Sequence, residues 1–141
     1  MQTEIHQSPT GSKINLHSLL PLGEARAVVH ITHGMAEHSR RYSRFALELT
    51  ASGFAVFAHD MRGHGRTIAD DASQGVFAKS DGLIKVLEDQ NEIVNLIKKR
   101  LPNKPVICFG HSLGSIINLN FALTYPNQVN ALACWNSGIE T

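Results

Sequence analysis

The feature that most constrains this 141-residue chain is a set of short apolar runs separated by helix-patterned stretches. Residues 27–31, 54–58, 106–109 and 131–135 are apolar almost continuously rather than at alternate positions. A strand with one wet face alternates, whereas a strand covered on both faces does not. Only near the start does alternation appear: Ile14 and Leu16 interleave with Lys13, Asn15 and His17, which predicts a half-exposed strand. Between the runs the period changes to that of a helix. Residues 41–52 place Tyr42, Phe45, Ala46 and Leu49 on a stripe that stops at Gly53. Residues 81–100 align Leu83, Val86, Leu87, Val94 and Ile97, then end in Lys98-Lys99-Arg100 with Pro102 beyond. Those cations suit the negative end of a helix, and proline cannot continue it. A third helix is expected from Leu113 to about Tyr125-Pro126. Strand–helix–strand alternation of this kind predicts an α/β fold, a mostly parallel sheet with helices on both faces. Residues 67–79 read as an irregular loop, and no linker marks a second domain.

Composition narrows the class further. With 43% hydrophobic and 18% charged residues the chain is neither disordered, collagen-like nor a coiled coil. A net charge of +1 offers no field to draw nucleic acid or an anionic membrane. Apolar runs of about five residues fall far short of the roughly 20 needed to span a bilayer, leaving at most peripheral membrane contact. Two cysteines, Cys108 and Cys134, are too few for a disulfide framework and are expected to be small buried core residues. The first residues lack a basic stretch followed by an apolar one, so no secretory signal is visible. These points predict a cytoplasmic protein.

Three segments carry chemistry. Gly110-His111-Ser112-Leu113-Gly114 reads G-x-S-x-G, directly after an apolar run and directly before a helical pattern. A serine hydroxyl is a poor nucleophile and must project from a sharp turn where a base can reach it. The flanking glycines fit a turn with no room for Cβ atoms. His33-Gly34-Met35-Ala36-Glu37-His38 leaves the 27–31 run. Acyl transfer needs two backbone N–H donors for the developing oxyanion, and Leu113 and Met35 stand where this fold supplies them. Asp60-Met61-Arg62-Gly63-His64-Gly65 matches neither a dinucleotide nor a P-loop pattern, and reads as a structural loop in which Asp60 and Arg62 are local hydrogen-bonding partners. His33, His38, His59 and His64 crowd one rim but lack the spacing of a known metal site, so no metal and no cofactor are expected. His111, adjacent to Ser112, is expected to be packed or hydrogen-bonded rather than to act as the base.

Together, residues 33–42, 60–67 and 110–115 resemble the monoacylglycerol lipase and lysophospholipase branch of the α/β-hydrolases, in order and approximate spacing. The resemblance runs from about Ala27 to the end. It implies an eight-stranded, mostly parallel sheet, of which this chain would hold the N-terminal strands through about the sixth. It also implies a serine esterase acting on glycerolipid-type or other carboxylic esters, with Ser112 as nucleophile and the Met35 and Leu113 N–H groups as oxyanion hole. His33, Gly34, Gly110, His111 and Gly114 support the motifs. The resemblance departs at Leu113, where Met is commoner, at Ser115, where Gly is commoner, and at Thr67, where Ser is commoner.

In this fold the catalytic order is Ser, then Asp or Glu, then His. After Ser112 the chain contains no His and no Asp, and its one acid is Glu140. The expectation is therefore the N-terminal part of a single α/β-hydrolase domain, inactive alone and completed by a C-terminal half that supplies base and cap. The alternative is a non-catalytic, truncated hydrolase-like interaction module. A metal-dependent hydrolase using the rim histidines is a third reading.

Overall fold

The computed structural model describes residues 1–138. Six strands form one sheet: β1 (Gln2–Gln7), β2 (Lys13–Leu19), β3 (Val28–Thr32), β4 (Ala55–His59), β5 (Val106–His111) and β6 (Ala131–Trp135). Their order is β1-β2-β4-β3-β5-β6. The β1–β2 and β2–β4 pairs are antiparallel, and the β4–β3, β3–β5 and β5–β6 pairs are parallel. Three helices connect them: α1 (Ser43–Ala51), α2 (Gly82–Arg100) and α3 (Leu113–Thr124). A 3-10 turn at Ser39–Tyr42 replaces the first residues of the helix expected from 41.

The continuous apolar runs are explained by coverage on both sides. Val28, Ala55, Phe57, Val106 and Cys108 pack with Val86, Ile93, Ile117 and Phe121 of α2 and α3. The intervening Val29, Ile31, Val56 and Ala58 pack with Ala46 of α1 on the other face. Period-two alternation is thus present in β3 and β4, but it alternates between two buried layers.

Three expectations are corrected, and one strand is added. Asn15 and His17 of β2 are buried, so that strand has no wet face. The loop after β4 covers them: Asn15 N–H donates to Thr67 Oγ1, and Asn15 Nδ2 donates to Asp60. Leu83 is exposed at 47%, and the buried stripe of α2 instead includes Asp89, Gln90 and Ile93. Cys108 is buried but Cys134 is exposed, because among the described residues β6 is the edge strand and pairs with β5 alone. Finally, β1 forms without any apolar pattern of its own. Its register on β2 runs from Gln2↔Ser18 to Gln7↔Lys13, and Arg100 of α2 holds Glu4.

Candidate active site

The turn from β5 to α3 is sharply constrained. Ser112 adopts φ +52° and ψ −117°, a region that L-residues rarely occupy. Its N–H donates to Trp135 O at 2.9 Å, while its carbonyl accepts from Ser115 N–H at 2.9 Å. A Cβ on Gly110 would lie 2.5 Å from Gly114 O, and one on Gly114 would lie 2.1 Å from Thr32 O and 2.6 Å from His33 O. Both contacts are with backbone, which cannot step aside as a side chain can. The glycines therefore let α3 start against the ends of β3 and β5. Leu113 is the first residue of α3, so its N–H has no acceptor within the helix.

The loop leaving β3 lies against this turn. Gly34 is packed so closely that a Cβ there would sit 3.1 Å from His111 Nδ1. His33 is fully buried; its Nδ1 meets Gly34 O at 2.8 Å, and its Nε2 accepts the Met61 N–H at 3.0 Å. Burial holds its pKa down, to about 4. Ala36 takes a left-handed φ of +55°, which reverses the chain just past Met35. Met35 exposes 68% of its surface, and among the described residues its N–H has no acceptor.

Glu37 ties the pieces together. It accepts from Gly34 N–H at 3.2 Å and Tyr42 OH at 2.7 Å, and its other oxygen lies 3.4 Å from His111 Nδ1. Burial pushes its carboxyl up, but these partners and Arg41 outweigh that and hold the pKa below the usual carboxylate value. Glu37, Arg41, Tyr42, Phe45, Phe109, His111 and Trp135 line an open cleft of about 530 Å³ beside the turn. It lies at the C-terminal ends of parallel strands β3 and β5. From β3 the sheet runs one way to β4 and the other way to β5, and open α/β sheets bind ligands at such a switch point.

The loop after β4 is a scaffold. Asp60 accepts from Ser39 N–H and Oγ, Asn15 Nδ2 and Arg66 N–H. Burial alone would raise its pKa, but these bonds lower it to about 2. Arg62 is fully buried, donates to Asp71 at 2.8 Å and stands 3.6 Å from Asp89. Of the rim histidines, His33, His59 and His64 are buried and His38 is exposed. Among the described residues no three His, Cys, Asp or Glu side chains form a group able to hold a metal ion.

The structure thus places His33, Gly34, Met35, Gly110, His111, Ser112, Leu113 and Gly114 at one junction. Sequence reading did not single out Glu37, and it noted Ser115 only as a departure from the resemblance. Ser115 is fully buried, and its Oγ donates to Gly110 O at 2.7 Å, stapling the turn.

Comparison with known proteins agrees with this fold. Residues 23–141 match the model of the family described as serine aminopeptidase, S33. The chain is 37% identical over 112 residues to a monoglyceride lipase homolog of Monkeypox virus, covering 79% of this chain and 38% of the relative. It is 35% identical over 112 residues to a monoacylglycerol lipase of Mycolicibacterium smegmatis, with the same two coverages. The crystal structure of a thermostable carboxyl esterase from Bacillus coagulans superposes with a TM-score of 0.85 at 30% identity, over 94% of this chain and 43% of that one. The chain spans less than half the length of these relatives.

Proposed function

Because the chain belongs to the serine aminopeptidase S33 family, whose fold here is that of the α/β-hydrolases, we propose that it carries the nucleophile and oxyanion hole of a carboxylic ester hydrolase acting on monoacylglycerol- or lysophospholipid-type substrates. The observation that carries this reading is the conformation of Ser112, held at φ +52° between two glycines that admit no Cβ. Ser112 attacks the ester carbonyl carbon, and the Met35 and Leu113 N–H groups receive the oxyanion. A His deprotonates Ser112 and then protonates the leaving alcohol, and an Asp or Glu orients that His. We place the His, and an Asp as its partner, beyond Thr141, since residues 113–141 contain neither. The names of the relatives support the ester class, and the cleft lined by Phe45, Phe109 and Trp135 suits an acyl group. No helix of the described residues is long and apolar enough to cross a membrane, which fits a substrate met in water or at a lipid surface. Both cysteines are free, which fits action in the cytoplasm.

The test is hydrolysis of short-chain p-nitrophenyl esters by the chain extended with its C-terminal half. Ser112→Ala should lower kcat by at least ~10³-fold. Retained turnover would show that Ser112 is not the nucleophile. Met35→Pro, which deletes one donor, should cost about 2.7–4 kcal/mol of transition-state stabilisation. The 141 residues alone should show no turnover.

A further inference from the structure

We propose that His33 is the positioning residue for the Met35 N–H, and that it works only as the neutral tautomer bearing its proton on Nδ1. The inference rests on the ester-hydrolase reading, and it concerns how one oxyanion donor is aimed. Two bonds determine the tautomer. The Met61 N–H at 3.0 Å can only donate, so Nε2 must present its lone pair. The Gly34 carbonyl at 2.8 Å can only accept, so Nδ1 must carry the hydrogen. The opposite tautomer loses both bonds. The imidazolium, with two N–H groups, loses the Met61 bond and sets two donors against each other. With His33 fully buried, water does not replace what is lost.

The consequence follows from peptide geometry. The Gly34 carbonyl and the Met35 N–H are the two ends of one planar peptide unit and point in opposite directions. Fixing the carbonyl on His33 therefore fixes where the Met35 N–H points. Accepting a hydrogen bond at the carbonyl also polarises the amide and strengthens its N–H as a donor. The anchor is rigid, because Met61 follows Asp60 in the scaffold loop and is itself buried. Flanking this unit, the Gly34 N–H is held by Glu37, and Ala36 is in the left-handed region. The charged and titratable groups facing His33 are His64, Asp60 and His59 from β4 and the loop after it, and Glu37 from its own loop.

The experiment uses the 141-residue chain labelled with ¹⁵N, observed by long-range imidazole and backbone amide NMR. At pH 7.5 His33 should show the Nδ1–H tautomer. As the pH is lowered, the Met35 and Met61 amide resonances should shift along the same titration curve as the His33 ring, while the Leu123 amide near the end of α3 stays in place. In His33→Gln, whose side chain offers both a carbonyl and an N–H, that pH response should vanish. An Nε2–H or charged ring at pH 7.5 overturns the proposal, as does a Met35 amide indifferent to His33 protonation. If the Gln variant does not fold, the tautomer of the native ring at pH 7.5 decides alone. None of these signals depends on Ser112 reactivity, so loss of the hydrolase reading through an active Ser112→Ala enzyme is a separate outcome.

Discussion

Ser112 holds a backbone conformation that costs an L-residue on the order of 1–3 kcal/mol, and nothing in its own side chain offsets that cost. Among the described residues, Ser112 Oγ makes no hydrogen bond. The strain is carried by the surroundings: the Trp135 carbonyl on its N–H, the Ser115 hydroxyl on Gly110 O, and the glycine contacts with β3. Such strain persists where function requires it. Ser112→Gly removes the Cβ that makes the conformation costly, and should raise unfolding stability by roughly 1 kcal/mol despite the extra chain entropy of glycine. Urea denaturation measures this, and a destabilised Gly variant would contradict the strain account. At this scale the sequence was readable where a local rule applies. The G-x-S-x-G spacing between an apolar run and a helical pattern located Ser112, Gly110 and Gly114. Glu37 was not readable, because its partners Gly34, Tyr42 and His111 converge only after β3 and β5 pair. The burial of Asn15 and His17 was hidden for the same reason: local alternation marks them as wet, and a loop some 45–52 residues later covers them.

Among the elements, α2 shows how a helix can be amphipathic with a polar residue in its buried stripe. Asp89 is buried, accepting from Ser8, Thr10 and Ser12 of the β1–β2 turn and facing Arg62 at 3.6 Å. It joins the N-terminal hairpin, the helix and the loop after β4. These links span 77 to 81 residues of sequence, so periodicity alone could not show them. Asp89→Ala removes the acceptor for three hydroxyls and leaves the Arg62 guanidinium with Asp71 alone. The expected loss is about 3–5 kcal/mol, read as a lower urea midpoint, and a loss under 1 kcal/mol would mean the network is dispensable. Strand β6 poses the opposite problem. It is apolar along its length yet exposes Ala131, Ala133, Cys134 and Trp135, with one edge unpaired among the described residues. An exposed apolar edge is a template for pairing with another chain. Ala133→Lys should therefore reduce concentration-dependent self-association in sedimentation velocity while leaving the thermal midpoint nearly unchanged. Equal association of both proteins would place the sticky surface elsewhere.

Over the whole molecule, the distribution of histidine sets how the fold responds to acid. His30 and His59 stack at 5.0 Å, with His30 Nε2 and His59 Nδ1 2.9 Å apart in the core. Burial lowers the pKa of His30 and His33 to about 4, holds that of His59 well below its usual value, and also lowers His17. In the unfolded chain each titrates near 6.5. Below that pH the unfolded state binds more protons than the native one, so stability falls as pH falls. The contribution is fully present above pH 6.5 and is lost as pH drops toward the folded pKa. At pH 5 each of His30 and His33 accounts for roughly 2 kcal/mol of that loss, since one pKa unit is worth 1.36 kcal/mol, and His59 acts in the same direction. For His30 and His33 together this is about 4 kcal/mol, close to the lower end of the 5–15 kcal/mol that typically holds a domain together. Asp60 acts in the same direction but in a lower window, from its unfolded value near 3.9 down to about 2. Carboxylates therefore cannot account for destabilisation between pH 6.5 and 5. Urea midpoints measured from pH 7.5 to 4.5 should be level above pH 7 and fall steeply below 6.5. Level midpoints across the whole range would mean that the buried histidines find protonated states the fold can hold.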